Sequence, residues 1–376
     1  MHNLLNFSSY GINTKRGFLP SEEPLTQLPS YYSAWDELAA EFTSLINARH
    51  FRRKVAELPV LDINQLTSSL EKERAFLLLT CFANGYVWEG YEASTRIPAC
   101  IAQPLLALSE DIDRKPILTH SSICLYNWNR INQNEPISME NIKTLMQFHG
   151  GVDESWFYLI TVEIEFIGGR FLQSLEHVYN HQDDISEVKS EMEKMVNAIK
   201  DMTKTLARMY EWCDPFIYHT RVRPFLTSFK EVTYEGENEQ VISLHGGSAA
   251  QSALLQSIDA AFGVEHKNPH AFQYLNEMRK YMPKAHASFV KDVEASNIIK
   301  NLAMNHAELL DVYNEGLEAL TEFRQTHLEI VAKYIMGQAA KNGPGHTGTG
   351  GTNPMTFLKS VKQDTEDRQV KVVEAK

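Results

Sequence analysis

The stretch from Leu317 to Ala339, LEALTEFRQTHLEIVAKYIMGQA, decides how this chain is read. Leu320, Phe323, Ile330, Val331 and Tyr334 recur at three- and four-residue spacing, so they share one face of a helix, and His327 stands among them. An imidazole on an apolar face has two readings. One is a core histidine satisfied by a single hydrogen bond. The other is a ligand to a metal or to heme iron. The residue alone leaves both open, but its neighbours bear on the choice. A glycine-rich loop, Gly348-Thr349-Gly350-Gly351-Thr352, follows the helix, and a small-residue segment, Gly246-Gly247-Ser248-Ala249-Ala250-Gln251-Ser252, opens another helix upstream. Small side chains let backbone approach a flat or bulky group, although they also serve close helix packing. Together the three suggest a heme pocket.

Composition narrows the partners. The 376 residues are 43% hydrophobic, enough for one large core or two modest ones without staples. Lys and Arg number 36 against 48 Asp and Glu, a net charge of −12, which argues against a nucleic-acid backbone or an anionic membrane as partner. Cys81, Cys100, Cys124 and Cys213 have neither CxxC nor Cys/His ligand spacing and are too few for a disulfide framework, so a reducing cytoplasm is expected. The N-terminus MHNLLNF has no basic and apolar signal pattern. The most apolar run, Ala75 to Ala83, is about half of the ~20 residues that a membrane span requires and reads as a buried core helix.

Neither glycine segment ends in the Gly-Lys-Ser/Thr of a phosphate loop, so nucleotide binding is weakly supported. Helical patterns dominate: Ser33 to Arg49, Ser68 to Tyr86, and Glu187 to Trp212, the last with a stripe of Val188, Met192, Met195, Val196, Ile199, Met202 and Leu206. Only Glu231 to Tyr234 and Gln240 to Leu244 resemble strands, and their spacing suggests one hairpin. The fold class is therefore all-α. Residues 1 to about 30 read as a proline-punctuated surface loop, Gly343 to Gly351 as a mobile loop, and Asp364 to Lys376 as a frayed charged end. A division near Gly150-Gly151 separates a small helical part, 1–148, from a larger one, 149–376.

In order along the chain, four segments closely resemble the indoleamine 2,3-dioxygenase family: Gly246 to Asp259, MRKYMPKAH at Met278 to His286, Arg324 to Ile335 around His327, and GTGGTNPMTFLK at Gly348 to Lys359. Weaker similarity at Pro116 to Trp128, Trp156 to Ile164 and Asp214 to Leu226 extends the resemblance over roughly residues 110 to 365. It implies a two-domain all-α fold in which the smaller domain forms one wall of the distal pocket. It further implies heme b, active as ferrous iron, with O2 as cosubstrate and an electron donor to keep the iron reduced. The implied reaction cleaves the indole 2,3-bond, converting L-tryptophan to N-formylkynurenine; the alternative is a heme-binding member with weak turnover, acting on another indole or as a sensor. A cytoplasmic monomer is the family expectation.

Carried over by position, the resemblance makes His327 the proximal iron ligand and Asp259 its support through water. Arg324 and Ser248 face the heme propionates, with Ala249 beside Ser248. Arg223 holds the substrate carboxylate in a bidentate fork, Tyr218 packs on the indole, and Thr349 and Gly350 close over the ammonium group. Two positions depart from the pattern. His120 stands where the family has a distal tyrosine, and Ser155 where it has an indole-contacting phenylalanine. His120 thus reads either as a distal hydrogen-bond donor or as a pocket-wall histidine.

Overall fold

The computed structural model describes residues 5–13, 15–342, 348–349 and 353–370. Helices dominate, as the all-α reading expects. The longer ones are α1 (Ser33–Ala48), α2 (Ser69–Trp88), α3 (Ala99–Asp111), α4 (Val152–Asn180), α5 (Ile185–Ala207), α6 (Ala253–Phe262), α7 (Pro269–Arg279), α8 (Lys284–Ser296), α9 (Leu310–Val331) and α10 (Pro354–Glu366). The expected hairpin forms from β4 (Phe229–Tyr234) and β5 (Gln240–Leu244). A short parallel strand, β1 (Arg96–Ile97), extends it to the order β1-β4-β5, while β2 (Trp128–Arg130) and β3 (Ile142–Thr144) make a separate antiparallel pair.

Local chemistry explains where the helices start. Ser68 and Glu71 form a reciprocal capping box that opens α2, and Asp184 caps α5 by accepting the Glu187 N–H. Residues 75–83 of α2 are all buried, so this is the core helix that its apolar run implies. The alternating stripe of α5 is buried likewise.

The longest helix, α4, is the element that the periodicity does not show. Gly168 and Gly169 interrupt its pattern at midpoint, yet each is there for close packing. A Cβ on Gly168 would meet the Leu254 side chain at 2.2 Å, and one on Gly169 would lie 2.7 Å from the Gly17 backbone nitrogen. Tertiary contact, not intrinsic propensity, keeps glycine inside this helix.

Helices α4 and α5 pack as a hairpin, α9 crosses α5 and takes α10 on another side, and α6 rests on α8. Buried side chains of residues 1–148 and of the remainder join in one cluster, running from Phe7, Trp35, Phe82 and Trp128 to Tyr313 and Tyr334. Among the described residues no helix is long and apolar enough to cross a membrane.

One expectation is corrected. The segment from Asp364 onward is not frayed where it is described: α10 runs to Glu366, Asp364 and Thr365 are buried, and the Asn314 side chain holds the Val370 backbone through both its N–H and C=O. Its charges look solvated in sequence, but His266 packs against Asp364 in the fold. Residues 371–376 and most of the Gly343 to Gly351 loop lie outside the described residues.

Candidate functional site

His327 lies in the last two turns of α9, half-buried, with Phe323, Ile330 and Val331 buried around it. Burial, reinforced by the Arg324 guanidinium one turn earlier, lowers its pKa to about 4. The imidazole is therefore neutral through the physiological range, and among the described residues it has no hydrogen-bond partner. A neutral, uncommitted imidazole is the state an iron ligand needs, so this residue fits the heme that the resemblance implies.

Behind His327 is a buried polar array. Arg324 makes an ion pair with Asp259 of α6 and donates to the Val361 carbonyl of α10 at 3.4 Å. The second Asp259 oxygen lies 3.4 Å from His266, whose other ring nitrogen lies 3.5 Å from Asp364. Burial pushes the Asp259 carboxyl up, but Arg324 and His266 outweigh it and hold it below the usual carboxylate range. The sequence singles out Arg324 and Asp259 separately; their direct pairing, and the part of His266 and Asp364, belong to the fold.

The two glycine segments, about a hundred residues apart, are joined here. Thr349 donates its hydroxyl to the Gly247 carbonyl at 2.6 Å, and Ser228 donates to the Thr349 carbonyl at 2.7 Å while accepting the Gly246 N–H at 3.1 Å. Gly246 is fixed by contact: a Cβ there would stand 2.1 Å from the Leu226 carbonyl oxygen, in the turn that starts at Arg223. Ser248 begins a short 3-10 turn as a capping box with Gln251 and is reached by the Tyr274 hydroxyl at 3.4 Å; Ala249 beside it is exposed. Gly350 lies outside the described residues.

His120 is buried, and its ring is committed. Its Nε2 meets Glu165 of α4 at 2.9 Å, Ser252 donates to the same carboxylate oxygen at 2.7 Å, and the His120 backbone N–H is taken by Gln251. Burial alone would push the imidazole down, but the Cys124 sulfur and the Glu165 carboxylate carry its pKa up to about 10. A raised pKa means that the contact contributes fully below the unfolded value near 6.5 and is lost as pH rises through about 10. His120→Gln is accordingly expected to cost about 1.5–3 kcal/mol at pH 6 and less near pH 10. Urea unfolding of both proteins across that range checks it, and a pH-independent difference would sink it.

On α4, Ser155 turns its hydroxyl back onto the Gly151 and Val152 carbonyls, whereas Phe157 packs on Tyr218 with ring centroids 4.6 Å apart. Tyr218 also meets Tyr334, two turns beyond His327, at 5.8 Å. The aromatic partner of Tyr218 is therefore Phe157, two positions beyond Ser155, where the family resemblance places the indole-contacting ring. Arg223 is buried in the next turn. From residues 1–148, Asn84 of α2 ties in by donating to the Phe225 carbonyl at 2.8 Å and accepting the Leu118 N–H at 3.3 Å.

Three π-helical segments occur among the described residues: Ser121–Leu125, Tyr218–Val222 and Ala332–Met336. They begin beside His120, at Tyr218 and just after His327. Such one-turn widenings of a helix are rare and favour functional sites. The sequence alone assigns no role to Phe157, Glu165, Ser228, Gln251, His266 or Asp364. Only Gln251, inside the quoted glycine segment, and Phe157, inside the Trp156 to Ile164 similarity and two positions from Ser155, carried any signal.

The family model described as indoleamine 2,3-dioxygenase matches residues 6–368. Indoleamine 2,3-dioxygenase 2 of Mus musculus is 33% identical over 96% of this chain and 95% of its own length. A protein named myoglobin from Haliotis madaka is 31% identical, covering 97% and 99%, and a 6-hydroxytryptophan 2,3-dioxygenase of Fusarium equiseti is 30% identical, covering 96% and 97%. With a family match along almost its whole length and relatives above 30% identity, the chain belongs to the indoleamine 2,3-dioxygenase family of heme-dependent dioxygenases.

Proposed function

We propose that this protein binds heme b through His327 and adds both atoms of O2 across the indole 2,3-bond of L-tryptophan, giving N-formylkynurenine. The observation that carries this reading is the His327 imidazole, neutral and without a hydrogen-bond partner among the described residues, on a helix braced by the Arg324–Asp259 pair. When bound, ferrous heme supplies the activation of O2.

The chain's own residues supply placement. The Arg223 fork takes the substrate carboxylate, Tyr218 and Phe157 hold the indole face, and Thr349 with Gly350 closes over the ammonium group and excludes water. The Arg324 fork has donors beyond those spent on Asp259, and these with Ser248 take the propionates. His120, held protonated by the Cys124 sulfur and the Glu165 carboxylate, is no proton acceptor here; it shapes the distal wall, which residues 1–148 contribute to the catalytic part at 149–376. Ser155, at the position where the family has an indole-contacting phenylalanine, spends its hydroxyl on the Gly151 and Val152 carbonyls and leaves the ring contact to Phe157. An external donor keeps the iron ferrous, and the protein acts as a cytoplasmic monomer.

A second reading is favoured by the relative named myoglobin: heme is bound and tryptophan turnover is weak or absent. The heme-loaded protein, reduced with ascorbate and methylene blue and supplied with tryptophan under 18O2, separates the two. N-formylkynurenine carrying two labelled atoms supports the first. An intact Soret band without product supports the second, and no Soret band after hemin addition overturns both.

A further inference from the structure

At the turn between α4 and α5, at the opposite end of α4 from Ser155 and Phe157, three potential ligands converge. His177 lies in the last turn of α4, His181 is the residue that ends it, and Glu187 lies in the first turn of α5. One ligand atom from each falls within 4.8 Å of the others. The His177 Nε2 stands 2.5 Å from Glu187 Oε1, and the two imidazoles stack at 4.1 Å between centroids.

His181 is already oriented for ligation. Its Nδ1 hydrogen is donated to the His177 carbonyl at 3.0 Å, which fixes the tautomer and leaves the Nε2 lone pair outward. Two histidines at i and i+4 on one helix face, with a carboxylate from the next element, form a donor set for a borderline divalent ion and not for Ca2+ or Mg2+, which favour all-oxygen shells. A tetrahedral zinc ion at 2.0–2.2 Å from each ligand places them roughly 3.4 Å apart, so modest side-chain rotation from the observed spread closes the site. Partial exposure leaves access for the ion and for a water as fourth ligand: the side chains of His177 and Glu187 are 35% and 39% exposed.

We infer that His177, His181 and Glu187 form a zinc-type divalent metal site that staples the turn between α4 and α5. The ion would take the place of the direct His177–Glu187 contact, with one ligand atom from each on the metal. Because α5 packs on α9, which bears His327, the staple fixes one end of the layer that supports the candidate pocket without touching it. The inference does not depend on the proposed reaction.

The test uses the full-length, heme-loaded protein after chelator treatment, titrated with Zn2+ against a chromophoric chelator. One equivalent is expected to bind with an affinity that His181→Ala and His177→Ala each weaken by about tenfold or more, and Glu187→Gln by less, while Ca2+ does not compete. Unchanged Soret absorbance and circular dichroism in His181→Ala, an exposed position, control for folding. If the variants bind Zn2+ as the parent protein does, or the parent binds no more tightly than His181→Ala, the three residues are only an ion pair at a helix turn and the inference is overturned.

Discussion

His327→Ala is expected to give a folded protein that holds no heme. A single neutral imidazole is the only protein bond to iron in this reading, so its removal takes away the anchor, while little else depends on it: the ring is half-buried and makes no hydrogen bond among the described residues. After hemin reconstitution and desalting, the variant should show no Soret band, with far-ultraviolet circular dichroism unchanged. A wild-type Soret spectrum in the variant would remove His327 from the site. The same residue sets an acid limit. Its folded pKa of about 4 lies below the ordinary 6.5, so the unfolded chain binds the extra proton between those values. The stability that the neutral ring contributes is complete above pH 6.5 and is lost as pH falls through about 4.

Arg324→Leu is expected to cost about 3–5 kcal/mol, because it leaves the Asp259 carboxylate buried with only His266 beside it. In the parent protein Asp259 is held below the usual carboxylate range, so its contribution is present above the unfolded value and is lost as pH falls through the folded one. Without Arg324, burial dominates and raises that pKa, which makes the variant relatively less impaired in acid. Urea unfolding at pH 7 and pH 4.5 should therefore show a large gap that narrows. Adding Asp259→Asn should restore part of the loss, since the orphaned charge is gone. A small gap at pH 7, or one that does not narrow, would mean that the pair contributes little to the fold.

The candidate site was legible in sequence where function demands an unusual residue in a local pattern. His327 stood out as an imidazole on an apolar helix face, and the Gly246 segment as glycines opening a helix. Residues whose role depends on a distant partner left no such mark. Glu165 and His266 look like ordinary helix and loop residues until His120 and Asp259 are placed against them. Ser155 shows the same limit from the other side: alignment in register selects it, but its hydroxyl is spent locally and Phe157 meets Tyr218. Helix α4 was missed because its glycines are explained only by Leu254 and Gly17 pressing on them.

By itself the sequence determined the helical class, the β4–β5 hairpin, the buried helix α2 and the identity of His327 as the residue to watch, because these follow from periodicity and from chemistry within a few residues. Only the tertiary structure decided that Thr349 seals against Gly247, that Arg324 is answered by Asp259, and that His120 is spoken for by Glu165. Pairings between side chains far apart in the chain are set by how helices pack, and no local pattern encodes which partner a buried charge will meet.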